Sequence, residues 1–270
     1  MKQAQGWLEP GLFYRAWLPD KPLASCVICH GYAEHSGRYQ AVAARLVSQH
    51  VAVYALDLPG HGRSAGKRAS ASSVKEFAPY LQKTLDYAQG QHPQLPSVLF
   101  GHSMGGLLAL QLCLLPDCVD LLCVSAAMLQ NAVAVSGALT AVASLLAKRI
   151  PDAPIQALDA NALAFAADVV AKYQHDPWVY HGKVRAALGY GLLTEGQAVL
   201  EQASQLSLAT LIMHGEHDTI ADPAGSQRLY EQLASKDKTF KLFDGKHEIL
   251  NDRCRFDVLD VFSHWLDQHI

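Results

Sequence analysis

The sequence predicts an α/β fold with a mostly parallel central sheet, helices on both faces and an inserted block of helices. Three observations predict it. Short apolar segments alternate with helical patterns over residues 12–125, and again after residue 206. Residues 126–206 contain helical patterns and no convincing strand. A serine between glycines stands where an apolar strand meets a helix. The predicted units are therefore a first core part (1–125), a helical insert or cap (126–206) and a second core part (207–270).

The first core part begins with a strand over residues 12–18, whose apolar and polar side chains alternate as on an outer strand. The later strands are short and apolar throughout, as buried parallel strands are. Ser72 or Ser73 is a candidate N-cap of the second helix, and Gly90 follows its predicted end. Pro116 stops the third helix. The remaining elements are strand 25–29, helix 39–49, strand 51–56, helix 74–89, strand 97–100, helix 105–115 and strand 121–125.

In the insert, residues 131–147 contain no charged side chain. The predicted helix ends with Lys148 and Arg149 in its last turn and Pro151 just beyond. At 17 residues, the uncharged segment is too short to span a bilayer comfortably. Two further helices complete the insert, and the second core part alternates between strand and helix. These elements are helices 160–173 and 183–202, strand 209–214, helix 224–234, strand 239–243 and helix 255–268.

Composition excludes several classes of protein. The 270 residues are 50% hydrophobic, enough for one large domain or a domain with an insertion. A net charge of −3 gives no field that attracts nucleic acid, so no nucleic-acid partner is expected. The N-terminal residues lack the apolar segment of a signal peptide, and no stretch reaches the roughly 20 apolar residues of a membrane span. We expect a cytoplasmic protein, either a monomer or a dimer.

Six cysteines occur, and Cys26 and Cys29 have the C-x-x-C spacing of redox and zinc sites. Residues i and i+3 of a strand point to opposite faces, so these two sulfurs cannot converge. The other cysteines lie in or beside apolar segments and are predicted to be small core side chains. Neither a metal nor a cofactor is expected. These four cysteines are Cys113, Cys118, Cys123 and Cys254.

The most informative motif is Gly101-His102-Ser103-Met104-Gly105. Gly-x-Ser-x-Gly between a strand and a helix is typical of a nucleophile elbow, which holds the serine in a strained turn with its hydroxyl raised above the sheet. The glycines leave room where the helix crosses the strand. A plain strand-to-helix turn is the alternative, but the other members of a catalytic triad can also be placed.

A serine hydroxyl needs a neighbouring base, and the base needs an orienting acid. On such a sheet they follow the serine in the order acid, then histidine, on loops at the carboxyl ends of later strands. Asp218 follows strand 209–214 and is the candidate acid, with Glu216 and Asp222 as rivals. His247 is the candidate base among 13 histidines, because it lies between the last strand and the last helix.

An acyl-transfer intermediate also needs N–H donors for its oxyanion. One is expected from the backbone of Met104, and the other from Tyr32 in the loop after strand 25–29. Residues 57–64 contain spaced glycines but lack the Gly-Lys-Ser/Thr ending of a phosphate loop and the full dinucleotide-binding motif. We interpret them as a tight structural loop near the site.

Five blocks of sequence occur in a recognisable order. They are HGYAEHSGRY at 30–39, DLPGHGRS at 57–64, GHSMGG at 101–106, HDPWVYHG at 175–182 and DKTFK at 237–241. Together they resemble the monoacylglycerol lipase branch of the α/β-hydrolase family. The resemblance runs from about residue 11 to the end, and its first block is the most specific.

The resemblance implies the α/β-hydrolase fold, with a mobile helical cap over the site. It implies a serine esterase whose triad is Ser103, Asp218 and His247, which cleaves monoacylglycerols, small lipid esters, into fatty acid and glycerol.

The resemblance also suggests that Glu34, Arg38 and neighbours such as His102 bind the polar glycerol end of the substrate. The family often has a small residue where this chain has Tyr32, a change that the backbone donor survives.

Other activities on the same triad stay open: lysophospholipase, thioesterase, acyltransferase or serine aminopeptidase. A dehalogenase or epoxide hydrolase would need aspartate in place of Ser103, and a catalytically silent binding protein is the alternative outside enzymes. The uncharged segment 131–147 either packs inside the insert, or lines an acyl channel or touches a membrane surface transiently. A peptidase needs acidic groups to hold a free amine, and the insert offers Asp152, Asp159, Asp168, Asp176, Glu195 and Glu201.

Overall fold

The computed structural model describes residues 1–116, 118–133 and 135–270, and eight strands form one sheet. The strands are β1 (Lys2–Glu9), β2 (Leu12–Leu18), β3 (Ala24–Cys29), β4 (Val51–Leu56), β5 (Ser97–His102), β6 (Leu121–Ser125), β7 (Ala209–Gly215) and β8 (Lys238–Phe243). Their order across the sheet is β1-β2-β4-β3-β5-β6-β7-β8. Strands β3 to β8 are parallel, whereas β2 is antiparallel to β1 and β4. The predicted mostly parallel sheet is confirmed.

Helices cover both faces of the sheet, as predicted. They are α1 (Gln40–Ser48), α2 (Ala78–Gln91), α3 (Met104–Cys113), α4 (Gly137–Arg149), α5 (Ala167–His175), α6 (Ala186–Gln202), α7 (Pro223–Gln232) and α8 (Arg255–Asp267). Leu46 of α1 and Phe262 of α8 belong to one apolar core. Leu81 of α2 and Leu108 of α3 belong to the core on the opposite face.

The cysteines are buried thiols. Cys26 packs into the core that contains α1 and α8, whereas Cys29 packs into the opposite core, which confirms that their sulfurs diverge. All six cysteines are free and buried.

Strand β1 is a correction, because the sequence pattern did not predict a strand before residue 12. Its side chains are mostly exposed or half-buried, and it pairs only with β2, at the edge of the sheet. An edge strand that buries little surface is held mainly by backbone hydrogen bonds to its neighbour. It needs few apolar side chains, so its hydrophobic pattern is weak.

The second predicted helix also needs correction. Residues Val74–Phe77 form a 3-10 turn, and α2 begins after it with Pro79 in its first turn. Ser73 occupies the N-cap position of this 3-10 turn, not of α2, and its side chain makes no capping bond. Ser72 instead donates to the carboxylate of Glu76. Gly90 lies inside α2 rather than beyond its end, because the helix continues to Gln91.

In the insert, all three helices begin later than predicted, and α6 starts at Ala186 rather than at residue 183. Helix α4 starts at Gly137 because Ser136 caps it by accepting from the Leu139 N–H, and Asn131 instead pairs with Ala221. Ala134, within the predicted helix, lies outside the described residues. Helix α5 starts at Ala167, after a short 3-10 turn at Ala160–Ala162. Lys148 and Arg149 occupy the last turn of α4, as predicted.

The described part of 126–206 contains helices and isolated bridges but no strand, which confirms the break in alternation. Within the described ranges, no helix combines the length and apolar character that crossing a membrane requires. The predicted structural loop at 57–64 is tightly bonded: the Asp57 carboxylate accepts from the N–H groups of Ser36 and Arg63, each at 2.8 Å.

Candidate active site

Ser103 lies in a sharp turn between β5 and α3. Its φ of +53° and ψ of −118° are strained for a residue other than glycine, as the elbow motif predicts. The Ser103 N–H donates to Ser125 O at 2.9 Å, and the Met128 N–H donates to Ser103 O at 3.1 Å. A Cβ atom on Gly105 would collide with the carbonyl oxygen of Cys29, so the close crossing of α3 and β3 needs glycine there.

The side chains of Ser103, His247 and Asp218 form a continuous hydrogen-bonded chain. His247 Nε2 lies 2.8 Å from Ser103 Oγ, and His247 Nδ1 lies 2.6 Å from Asp218 Oδ2. Asp218 Oδ1 accepts from the backbone N–H groups of Ile220 (2.8 Å) and Ala221 (3.1 Å). Because a carboxylate only accepts, Nδ1 of His247 carries the proton and Nε2 accepts from the serine hydroxyl.

The two rival acids lie elsewhere. Glu216 is exposed. Asp222 caps α7, where its carboxylate accepts from the Ala224 N–H at 2.9 Å and from the Gln130 side-chain amide at 2.7 Å. Of the three candidate acids, the structure therefore brings only Asp218 to His247.

Burial and charge act in opposite directions on this pair. Burial would lower the pKa of His247, but the Asp218 carboxylate and the nearby Glu248 and Glu34 outweigh it and raise that pKa above its ordinary 6.5. Burial would raise the pKa of Asp218, but His247 and the hydrogen bonds from His214 and His247 hold it well below its ordinary value. Asp218 therefore stays ionised, and His247 is a stronger base than a free imidazole.

The loop after β3 packs directly against the serine. The expected oxyanion donors are the backbone N–H groups of Tyr32 and Met104. In the described loops, turns and caps, neither N–H donates to a backbone carbonyl. The Gly31 N–H donates to Glu34 Oε1 at 2.6 Å, which fixes this loop. A Cβ atom on Gly31 would lie 3.2 Å from the Ser103 Cβ, so the loop can deliver a donor beside the serine oxygen.

A buried charge cluster lies beside the triad. Arg38 donates to both carboxylate oxygens of Glu248, at 2.6 and 2.5 Å, and to Glu34 at 3.1 Å. Its guanidinium also lies 4.8 Å from the centre of the Tyr173 ring. Glu34, Glu248 and Tyr173 line the cavity described below, whereas Arg38 is not part of the described lining. Arg38 thus supports the two carboxylates from behind the cavity wall.

His102 lies between the elbow and the cavity. Its ring is 5.1 Å from that of His247, and its Nδ1 is 3.3 Å from Ser125 Oγ. Burial, reinforced by the charge of His247, lowers the pKa of His102 to about 3. His102 therefore stays neutral at physiological pH and offers a polar ring at the cavity wall.

A cavity of about 620 Å³ opens onto Ser103, within the usual size range of small-molecule sites. The part of its wall near the serine is polar, with Glu34, His102 and Glu248. The rest of the wall is mainly apolar and comes largely from the insert. Apolar lining residues include Leu139, Val142, Leu146, Leu158, Leu163 and Leu192.

Helix α4 forms an exposed wall of this cavity rather than a core of the insert. None of its residues is buried, and Leu139 and Leu145 are each 57% exposed. Of the three interpretations of the uncharged segment, interior packing is therefore wrong for α4: the helix has too few neighbours to be enclosed.

Asp252 connects the insert to the loop that carries His247. Its buried carboxylate accepts from the backbone N–H groups of Phe165 and Ala166 at 2.9 and 3.0 Å, and from Lys246 N–H at 3.0 Å. The Glu248 N–H adds a bond of 2.8 Å to Leu163 O.

Sequence reasoning missed three side chains at this site: His214, Glu248 and Asp252. The only available signal was position, since each lies within five residues of a predicted triad member. Across the described parts of the chain, no group of three His, Cys, Asp or Glu side chains is arranged to hold a metal ion.

Comparison with known proteins identifies the family. Residues 20–254 match the model of the Hydrolase_4 family, described as serine aminopeptidase, S33. The chain belongs to this family. Hydrolase_4 membership and the parallel sheet with its serine elbow agree with the predicted α/β-hydrolase fold, which is thereby confirmed.

Several relatives of this Hydrolase_4 chain are lipases. It is 37% identical over 262 residues to a monoacylglycerol lipase of Mycolicibacterium smegmatis, covering 96% of this chain and 94% of that protein. It is 31% identical to the monoglyceride lipase of Rattus norvegicus, covering 96% and 88%. The crystal structure of a Paleococcus ferrophilus monoacylglycerol lipase matches with a TM-score of 0.86 at 30% identity, covering 96% of this chain and 99% of that one.

Proposed function

We propose that this protein is a serine esterase that hydrolyses monoacylglycerols to fatty acid and glycerol. The observation that carries the proposal is the hydrogen-bonded chain Ser103–His247–Asp218 beside a mainly apolar cavity with polar side chains near the serine. Monoacylglycerol lipases among the relatives, matched over nearly the whole chain, support this choice of substrate.

Each step of the reaction has a group to perform it. His247 Nε2 takes the proton of the Ser103 hydroxyl as the serine oxygen attacks the ester carbonyl carbon. The N–H groups of Tyr32 and Met104 stabilise the resulting oxyanion. The tetrahedral intermediate collapses, His247 gives its proton to the departing glycerol oxygen, and an acyl-serine remains. Water then attacks the acyl carbon while His247 takes one of its protons; the bond between Ser103 Oγ and the acyl carbon breaks, His247 returns the proton to Ser103, and the fatty acid leaves.

The two ends of the cavity suit the two ends of the substrate. The apolar wall formed by the insert would accommodate the acyl chain, and Glu34, Glu248 and His102 would hydrogen-bond the glycerol hydroxyls. Arg38 would act from behind, by holding the two carboxylates in place. An aminopeptidase would need a carboxylate free to bind an amine, and several acidic groups of the insert already have partners: Asp176 with His35, and Asp152 with Lys67.

We also propose that residues 126–206 act as a cap whose α4 surface contacts lipid transiently. Leu139, which lines the cavity, and Leu145 on α4, together with Ile150 just after it, are each more than half exposed. Exposed apolar side chains in one patch are typical of interaction surfaces.

A cytoplasmic location is supported by six free, buried cysteines, which suit a reducing compartment.

Relative kcat/KM values on a substrate panel test the proposed specificity. The panel contains 1-decanoyl glycerol, a lysophosphatidylcholine of equal acyl length and leucine p-nitroanilide, each assayed with wild type and with Ser103→Ala. We expect the monoacylglycerol to be preferred by tenfold or more, with all turnover lost in the variant. Preference for the anilide or the lysophospholipid would overturn the substrate assignment while leaving the nucleophile intact.

A further inference from the structure

The carboxylate oxygen that binds His247 also binds a second histidine. Asp218 Oδ2 lies 2.6 Å from His247 Nδ1 and 3.1 Å from His214 Nε2. His214 belongs to β7, and its side chain is completely buried. The Asp218 carboxylate thus has two imidazoles on one oxygen and two backbone N–H groups on the other.

The partners of His214 define which of its atoms donates. Nε2 also lies 3.1 Å from the carbonyl oxygen of Ala221, so both of its partners are acceptors. His214 Nε2 therefore carries a proton and donates it to Asp218 and Ala221. Its other nitrogen, Nδ1, lies 2.7 Å from the hydroxyl of Ser226 on α7, which is also buried.

We propose that His214 is a positioning residue for the reaction, which fixes the Asp218 carboxylate and moderates its basicity. This inference rests on the proposed serine-esterase function. A carboxylate without the second imidazole would attract the proton of His247 more strongly and raise its pKa. It would also lose one of the bonds that orient it. Ser226 strengthens the effect, because a hydroxyl that donates to Nδ1 makes Nε2–H a better donor.

Geometry distinguishes this role from simple packing. An apolar side chain could fill the space of His214, but it would leave Ala221 O, Ser226 Oγ and one bonding position of Asp218 without their partner. A glutamine side chain can place its amide N–H where Nε2–H lies. His214→Leu and His214→Gln therefore separate the donor from the volume.

The experiment measures kcat/KM against pH for p-nitrophenyl butyrate. We expect the acidic limb of His214→Leu to move up by about 0.5 to 1 pH unit, with kcat reduced about tenfold. His214→Gln should recover most of both. Ser226→Ala should move the limb in the same direction by less, and it carries the test if the leucine variant does not fold, as judged by near-ultraviolet circular dichroism.

The other charged groups near the triad are the same in every variant, so they cannot cause a difference between variants. A wild-type limb in folded His214→Leu, or in Ser226→Ala if that variant carries the test, would overturn the proposal, as would equal shifts in the leucine and glutamine variants. Failure of a fluorophosphonate to label Ser103 in the wild type would instead overturn the proposed function. The charged or titratable groups near the triad that all variants share are Glu34, Arg38, His102 and Glu248.

Discussion

The guanidinium of Arg38 forms a bidentate ion pair with the carboxylate of Glu248, at 2.6 and 2.5 Å, although 210 residues separate them in sequence. The pair joins the loop after β3 to the loop that carries His247. Arg38 also binds Glu34, so one cation, whose side chain is 10% exposed, pairs with two buried carboxylates that line the cavity.

Arg38→Ala should therefore be strongly destabilising. Removing one member of a buried ion pair typically costs about 3–5 kcal/mol, because the remaining charge is left unpaired. Urea unfolding at pH 7 measures the loss. Arg38→Lys, which keeps the charge but not the bidentate geometry, should fall between wild type and alanine. Equal stability of alanine and wild type would contradict the account of this cluster.

The raised pKa of His247 predicts the pH profile. Below that pKa the imidazole is protonated and cannot accept the serine proton, so kcat/KM should fall with a single-proton slope at a midpoint above 6.5. For stability the sign is reversed: the shift stabilises the fold fully below the unfolded pKa near 6.5, and the gain is lost as pH rises through the folded pKa. An uncharged ester as substrate isolates the enzyme's own titration, and a midpoint well below 6.5 would refute this assignment.

Asp252→Ala should loosen the link between the insert and the histidine loop. The buried carboxylate bonds backbone N–H groups in both segments, so we expect a loss of about 2–4 kcal/mol in unfolding free energy. We also expect a fall in kcat of tenfold or more. Asp267→Ala, an exposed change near the end of α8, is the matched control. Loss of stability without loss of kcat would show that Asp252 does not position His247.

The proposed lipid contact through α4 and Ile150, the residue after it, predicts an effect on binding to vesicles. Leu145→Gln with Ile150→Gln changes two side chains that are 57% and 56% exposed and are not among the described cavity-lining residues. We expect sedimentation with monoacylglycerol-containing vesicles, and turnover there, to fall about tenfold. Turnover of dissolved p-nitrophenyl butyrate should be unaffected. The control is Leu23→Gln, 56% exposed before β3; an equal effect there would argue against a specific lipid surface.

The positions of Ser103, Asp218 and His247 could be predicted because each follows a strand whose pattern is clear. Parallel strands bring their carboxyl ends to one edge, so residues 144 apart in sequence, such as Ser103 and His247, were expected to meet. The elbow strain at Ser103 was predictable for a similar reason, since it is a local property of strand, turn and helix.

Other features depend on contacts that local patterns do not encode. His214 lies within an apolar strand, and its contact with Asp218 depends on the conformation of the loop that follows the strand. Asp252 and Phe165 are 87 residues apart, and no periodicity connects them. Strand β1 forms by pairing with β2, and α4 begins at the cap residue Ser136 rather than at the start of its uncharged segment.

Glycerol release from 1-decanoyl glycerol, by wild type and by Ser103→Ala, tests the central claim most directly. We expect rapid release by the wild type and a loss of at least about a thousandfold in the variant, with its fold intact by circular dichroism. Release that persists in Ser103→Ala would contradict the assigned nucleophile. Absence of release from the wild type, with Ser103-dependent cleavage of p-nitrophenyl butyrate, would contradict the assigned substrate.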